Sequence, residues 1–276
     1  MVITTKPFAI EDLPRCREIE AATAPGNQYF KDVVDYFTTT KGELTLGLVD
    51  DVVAGFGKLT VLFDGSAWLE LLRVHPDYQR RGVAAHIYQR YMAQIRELGC
   101  PAVGMYTGVR NVASATLAEK NGLHRGPEFR GMSLDVAAAP APAPAAMELA
   151  GTKEQVQQLL ETLKGQAGGK LSINHTFYRM NERTYGGFAT NGWVFANDAA
   201  TLVMGARFQP KRALYIAALG GDKQQALDFA VAEAKRRGIP KITAHFPPAD
   251  GAMHAFYEAN GFTLDPSDDV VMECDY

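Results

Sequence analysis

The first half of the chain divides cleanly by its apolar spacing. "VITTK" (2–6), "ELTLGLVD" (43–50), "VVAGFGKLTVLF" (52–63) and "SAWLELLRV" (66–74) are short β-rich stretches and are predicted as strands. The second and third meet at the "DD" pair, Asp50-Asp51, which reads as a turn. "EDLPRCREIEAAT" (11–23) and "QYFKDVVDYFTT" (28–39) carry apolar residues at helical spacing. A third helix is predicted from about Gly82 to Leu98 and a fourth from about Val112 to Asn121. "AVGMYT" (102–107) separates those two as a strand, and "RGMSLDV" (130–136) follows as the last one. The predicted order is β-α-α-β-β-β-α-β-α-β.

Residues 137–146 read "AAAPAPAPAA", where proline removes amide donors and favours extended spacing. We read this as a linker between a domain at 1–136 and another at 147–276. The two parts are related. "LGCPAVGMYTGVRNVASATLAEKNGL" (98–123) slides without a gap onto "RGIPKITAHFPPADGAMHAFYEANGF" (237–262). Gly99 falls on Gly238, Pro101 on Pro240, Glu119 on Glu258 and Gly122 on Gly261. Asn111 falls on Asp250, both suited to cap a helix. Matching punctuation in one register points to an internal duplication.

Composition narrows the classes. With 276 residues, 47% hydrophobic and 21% charged, the chain is an ordinary globular protein long enough for two cores. With a net charge of −3 nothing suggests a general nucleic-acid binder, so basic clusters need local explanations. Cys16, Cys100 and Cys274 lie far apart and in no metal-ligand spacing, as reduced thiols would, and no metal site is expected. The first residues lack the apolar core of a signal peptide, and no stretch is apolar enough to span a bilayer. The expected compartment is the cytoplasm, without membrane attachment.

One basic cluster stands at a strand-to-helix junction, "VHPDYQRRGVA" (74–84). Amides at a helix start lack intrahelical acceptors, and the helix dipole adds positive charge there. Glycine lets an anion come close to the backbone. The junction resembles the acetyl-CoA signature of the GNAT superfamily of N-acetyltransferases, Q/R-x-x-G-x-G/A. Here its positions are Gln79, Arg80, Arg81, Gly82, Val83 and Ala84. A second signature of that family, N-x-x-A/S-x-x-L-Y-x-x-x-G-F, is matched by Asn111, Ser114, Leu117 and Gly122, with Ala118 and Leu123 where the family has Tyr and Phe. The likeness covers residues 1–135 well and 147–276 more weakly.

The resemblance implies a fold and an activity. The fold is α/β of the α+β type: two tandem domains, each a mixed, mostly antiparallel sheet flanked by helices. The activity is transfer of an acetyl group from acetyl-CoA to an amine, with coenzyme A as product. The pyrophosphate would sit on the amides of Gln79–Ala84, and the pantetheine arm would pair with a splayed strand at Leu72 and Val74. Asn111 and Ser114 would reach the cofactor from the next helix. The acceptor, small molecule or peptide, is not readable. Members often dimerise, so a monomer with an internal pseudo-dimer or a homodimer is expected.

Acetyl transfer needs a neutral amine and a stabilised leaving thiolate. Ala118 removes the family's usual proton donor. Glu70, on the strand leading into the loop, is a candidate base, against a plain surface carboxylate. Tyr106 is another, against an aromatic packed on the sheet. Arg73 and His75 flank the strand end, His75 as a turn residue, and Tyr88 and Tyr91 read as packing. Either another residue substitutes for the missing tyrosine, or the thiolate leaves unassisted, or the chain is a non-catalytic acyl-CoA sensor or scaffold.

The second half keeps the tyrosine as Tyr257 but lacks the loop. "ALYIAAL" meets the helix "KQQALDFAVAEAKRR" through "GGD" alone. Asp222 then satisfies the helix amides itself and repels a phosphate. The second domain is expected to keep the fold and lose the cofactor.

Overall fold

Each apolar stretch of the first half becomes the element its spacing predicts. The computed structural model describes residues 1–276 apart from 27, 144, 145 and 167. Strand β1 (Ile3–Pro7) leads to helices α1 (Leu13–Thr23) and α2 (Phe30–Thr39). Strands β2 (Gly42–Val49), β3 (Val52–Val61) and β4 (Ala67–Val74) follow, then α3 (Val83–Leu98), β5 (Ala102–Gly108), α4 (Val112–Lys120) and β6 (His124–Asp135). Next come β7 (Glu148–Leu149), α5 (Lys153–Glu161), β8 (Lys170–Ile173), β9 (Thr176–Arg179), α6 (Glu182–Thr190), β10 (Val194–Ala196) and β11 (Ala200–Gly205). The chain ends with β12 (Leu214–Gly221), α7 (Lys223–Arg237), β13 (Lys241–Phe246), α8 (Gly251–Ala259), β14 (Thr263–Leu264) and β15 (Asp269–Asp275).

By contacts these elements form two compact units. One holds Met1–Met105, Ala113–Arg125 and Met272–Tyr276; the other holds Tyr106–Val112 and Gly126–Val271. The division differs from a cut at the Ala/Pro segment. Strand β6 precedes that segment yet belongs to the second unit, because it pairs antiparallel with β13 from Arg130↔Phe246 to Asp135↔Lys241. The last five residues belong to the first unit.

In the first unit β1, β2, β3 and β4 pair antiparallel in that order. Strand β4 then pairs parallel with β5, but only at Ala67↔Val103 and Trp68↔Gly104. The core gathers Phe30, Phe37, Leu46, Phe56 and Leu59, all nearly or fully buried, with the Phe30 and Phe56 rings 4.8 Å apart. Helix α3 lies unusually close to the sheet because glycines face it. A Cβ on Gly47 would stand 2.8 Å from Val83 Cγ1, and one on Gly55 3.2 Å from it. A Cβ on Gly57 would stand 2.0 Å from the Tyr91 hydroxyl. Glycine inside a strand often marks such an approach. Arg90 locks the helix further by donating to both Glu43 oxygens of β2, at 3.1 and 2.8 Å. Burial pushes the Glu43 carboxyl up, but the hydrogen bonds from Arg90 and Thr45 outweigh it and hold the group below its ordinary value.

The Gly57 contact gives a test of this packing. Gly57→Ala is expected to destabilise by about 1–3 kcal/mol through overpacking. The Tyr91 hydroxyl is buried without a hydrogen-bond partner among the described residues, so Tyr91→Phe alone costs little. Combined, Tyr91→Phe relieves the clash and returns most of the loss, read as non-additive denaturation midpoints. Additive losses would contradict the contact.

The second unit repeats the plan. Its sheet runs β6, β13, β12, β11, β10, β7, with β12 and β13 paired parallel and the other neighbours antiparallel among the described residues. Their pairing covers Leu214–Ile216 and Ile242–Ala244 and then stops. Helix α8 (251–259) stands residue for residue where the 139-residue offset puts α4 (112–120). Strands β8 and β9 form a separate hairpin. The Ala/Pro segment has no helix or strand over residues 140–143, as expected, but its start is packed. Ala139 is buried in this core, and Lys235 Nζ donates to the carbonyls of Ala139 and Pro140 at 3.1 and 3.2 Å. Alanine buries without a polar cost, and a proline-rich backbone leaves its carbonyls to be satisfied from outside. Residues 144 and 145 of the segment lie outside the described residues. Among the described residues no helix is long and apolar enough to cross a membrane.

Candidate functional site

The basic junction takes the shape its sequence suggests. After β4, Pro76–Tyr78 form one 3-10 turn, capped by His75, whose Nδ1 accepts from the Asp77 amide at 3.3 Å. His75 is thus a turn residue. The backbone then passes through the left-handed region twice, at Arg80 (φ +59°) and at Gly82 (φ +96°), and α3 begins. Gly82 is the N-cap, and no side chain caps the helix. The amides of the first turn are therefore available to a ligand, and the helix dipole makes that position positive. Arg80 and Arg81 are exposed beside them, the Arg81 guanidinium lying 5.6 Å from the centre of the Tyr78 ring.

Strand β4 supplies the second part. It carries a bulge: Phe56 pairs with Arg73 and Lys58 with Glu70, so Gly57 alone faces Leu71 and Leu72. Leu71 adopts φ +63° while buried in the sheet. A leucine there costs on the order of 1–2 kcal/mol, and such strain clusters at functional sites. Bulges also end pairing and redirect strands. Beyond the two pairs at its start, β4 has no parallel partner for Leu69–Val74 among the described residues. In that stretch Arg73 Nη1 donates to the Leu72 carbonyl at 3.1 Å, while Arg73 Nε is buried without a partner among the described residues. Gln79 Nε2 donates to the Val74 carbonyl at 3.1 Å and so ties the loop to the strand end.

Structure therefore gathers Leu72, Val74, Gln79, Arg80, Arg81, Gly82, Val83 and Ala84 in one continuous strand-loop-helix segment. Glu70 sits just before the bulge, half-buried, and accepts from the Thr60 hydroxyl at 2.6 Å. Ser114 is half-buried in the first turn of α4. Ala118, in that helix, is fully buried. Tyr106 and Asn111 belong to the second unit. Asn111 is exposed, and Tyr106 stacks on His175 with centroids 4.9 Å apart.

Burial pushes the Cys16 thiol up to about 12 and also raises Cys100, so neither is a ready thiolate.

The same place in the second unit is closed. Eight residues, 75–82, separate β4 from α3, whereas Asp222 alone separates β12 from α7. Its carboxylate caps α7, accepting from the Gln225 amide at 3.1 Å. The helix end that would hold an anion is filled by the chain's own. Tyr257 is buried among Phe246, Phe256 and Phe262, with the Phe262 centroid 4.8 Å away. It packs against these rings.

One group of side chains lies outside every motif of the sequence. His175, His245 and Asp269 lie together in the second unit, with His175 Nδ1 2.9 Å from Asp269 Oδ2. They are far apart along the chain, in no recognisable motif.

Comparison with known proteins places this architecture. Residues 9–123 match the model of the acetyltransferase (GNAT) family. A GCN5-related N-acetyltransferase from Sphaerobacter thermophilus is similar in structure, with a TM-score of 0.69 at 16% identity, over 99% of this chain and 95% of that one. A tandem GNAT protein from the clavulanic acid biosynthesis pathway gives 0.63 at 15% identity, over 99% and 98%. A GCN5-related N-acetyltransferase from Kribbella flavida gives 0.54 at 13%, over 99% and 70%. At such identities these likenesses speak for the fold. No curated protein matches the chain in sequence. The matched segment spans α1 to α4 with the uncapped loop between β4 and α3, and over residues 9–123 the chain matches the acetyltransferase (GNAT) family.

Proposed function

We propose that the chain transfers an acetyl group from acetyl-CoA to an amine, with the cofactor held by the domain at 1–136. The observation that carries this is the uncapped start of α3 after a strand that has lost its parallel partner. The donors available fit the two parts of the cofactor. Amides at Gly82–Ala84 with Arg80 and Arg81 suit a pyrophosphate. The backbone of Leu72 and Val74, with the orphaned Arg73 Nε, suits the amides and carbonyls of a pantetheine arm. Asn111 and Ser114 are proposed as further contacts. Bound acetyl-CoA supplies an activated thioester.

The chain's own residues then have two tasks. One is to take a proton from the acceptor amine, and Glu70 is the leading group, with Tyr106 second. The other is to help the thiolate leave, for which Ala118 offers nothing. The domain at 147–276 is proposed as cofactor-free, because Asp222 occupies its helix amides. The acceptor class is left open by the sequence and the geometry alike. Release of free thiol from acetyl-CoA, screened over small amines, amino acids and peptide amines, tests the proposal. Sustained release with one class supports it.

Ala118 supports a second reading, a non-catalytic acyl-CoA sensor or scaffold. Tight acetyl-CoA binding with no thiol release on any amine class favours that reading over the first.

A further inference from the structure

The geometry points to a divalent metal site in the second unit, built from His175, His245 and Asp269 and suited to Zn2+. Each offers one ligand atom, and these atoms lie within 4.8 Å of one another. His175 Nδ1 is 2.9 Å and His245 Nε2 is 3.9 Å from Asp269 Oδ2. Ligands around a tetrahedral ion with bonds of about 2.0–2.1 Å stand roughly 3.3 Å apart, so small ring rotations complete the site. Two imidazoles and a carboxylate are a donor set that zinc accepts, with a fourth position left for water or another ligand.

A second observation separates this cluster from an ordinary hydrogen-bonded one. His245 is fully buried, and its Nε2 has no hydrogen-bond partner among the described residues. A buried, unsatisfied ring nitrogen is costly, and a metal ion satisfies it. The other nitrogen, Nδ1, meets the Ser172 hydroxyl at 3.2 Å. With Nδ1–H donating to Ser172, the Nε2 lone pair faces Asp269, the outer-shell pattern that orients metal-binding histidines.

His175 is also placed with care. It is the second residue of the two-residue turn between β8 and β9, with Asn174 at φ +52° and His175 at φ +51°. The Asn174 side chain pins that turn, accepting from the Arg207 amide at 2.7 Å and donating to the Phe208 carbonyl at 3.2 Å. Such turns favour asparagine and glycine, so histidine stands here against local preference. Tyr106 stacks on one side of its ring and Tyr215 stands 6.2 Å away edge-on. The His175 side chain is 31% exposed, which gives an ion a way in.

Equilibrium dialysis of the full chain against Zn2+ alone tests this, in a Cys274→Ser background that removes the half-exposed thiol. One Zn2+ per chain is expected. His175→Asn suits the left-handed turn and should keep the fold, checked by circular dichroism, yet weaken Zn2+ at least about 100-fold, beyond the loss typical of an outer-shell change. Asp269→Asn should do the same, and His124→Gln, on β6, should change nothing. Absence of saturable binding in the starting protein overturns the proposal. So does affinity unchanged in His175→Asn, which decides the matter alone if Asp269→Asn fails to fold.

Discussion

Arg81→Glu combined with Gly82→Asp is expected to weaken acetyl-CoA binding at least about 100-fold, or roughly 2.8 kcal/mol. Three effects add. The arginine charge beside the pyrophosphate is reversed. An aspartate at the N-cap takes the free amides, as Asp222 does for α7. It also sets a negative charge where the helix dipole would have met the ligand, an effect of up to about 2 kcal/mol. Gly82 sits at φ +96°, so aspartate there also strains the loop. Arg81→Glu alone leaves the backbone untouched and should lose part of the affinity with the same melting temperature. Both are read by equilibrium titration. Unchanged affinity in the double variant would sink the assignment.

Glu70→Gln is expected to lower the rate of thiol release by about 10²–10⁴ while acetyl-CoA affinity stays the same. The substitution keeps shape and removes the basic oxygen. Glutamine can still accept from Thr60, so the strand should hold its place. A variant with normal binding and normal turnover would remove Glu70 as base and turn attention to Tyr106→Phe.

Much of the first unit was legible in order and type. Every element from β1 to β6 lies where its apolar stretch predicts it, and β2 and β3, buried on both faces, read as near-continuous apolar runs. The closed site at Asp222 was legible too, since one capping residue in place of an eight-residue loop has a direct physical reading. The membership of β6 and of residues 272–276 was not. Alternation says that a segment is a strand and which face is apolar, but not which sheet edge it joins. The bulge at Leu71 was hidden for another reason: leucine is not a residue that announces a positive φ. Tyr91 read as packing, and it does pack, but its orphaned hydroxyl over Gly57 appears only in three dimensions. His175, His245 and Asp269 come from the turn between β8 and β9 and from strands β13 and β15, and no spacing rule links them. The Ala/Pro segment read as a free spacer, whereas Ala139 is core and Lys235 holds its backbone.

The most direct test of the central claim is a crystal structure of the full chain with acetyl-CoA. The account expects the pyrophosphate on the amides of Gly82–Ala84 and the pantetheine arm along Leu72–Val74, with nothing at the start of α7. Cofactor seated at Asp222 and α7, or an empty loop at 79–84 with cofactor elsewhere, would contradict it.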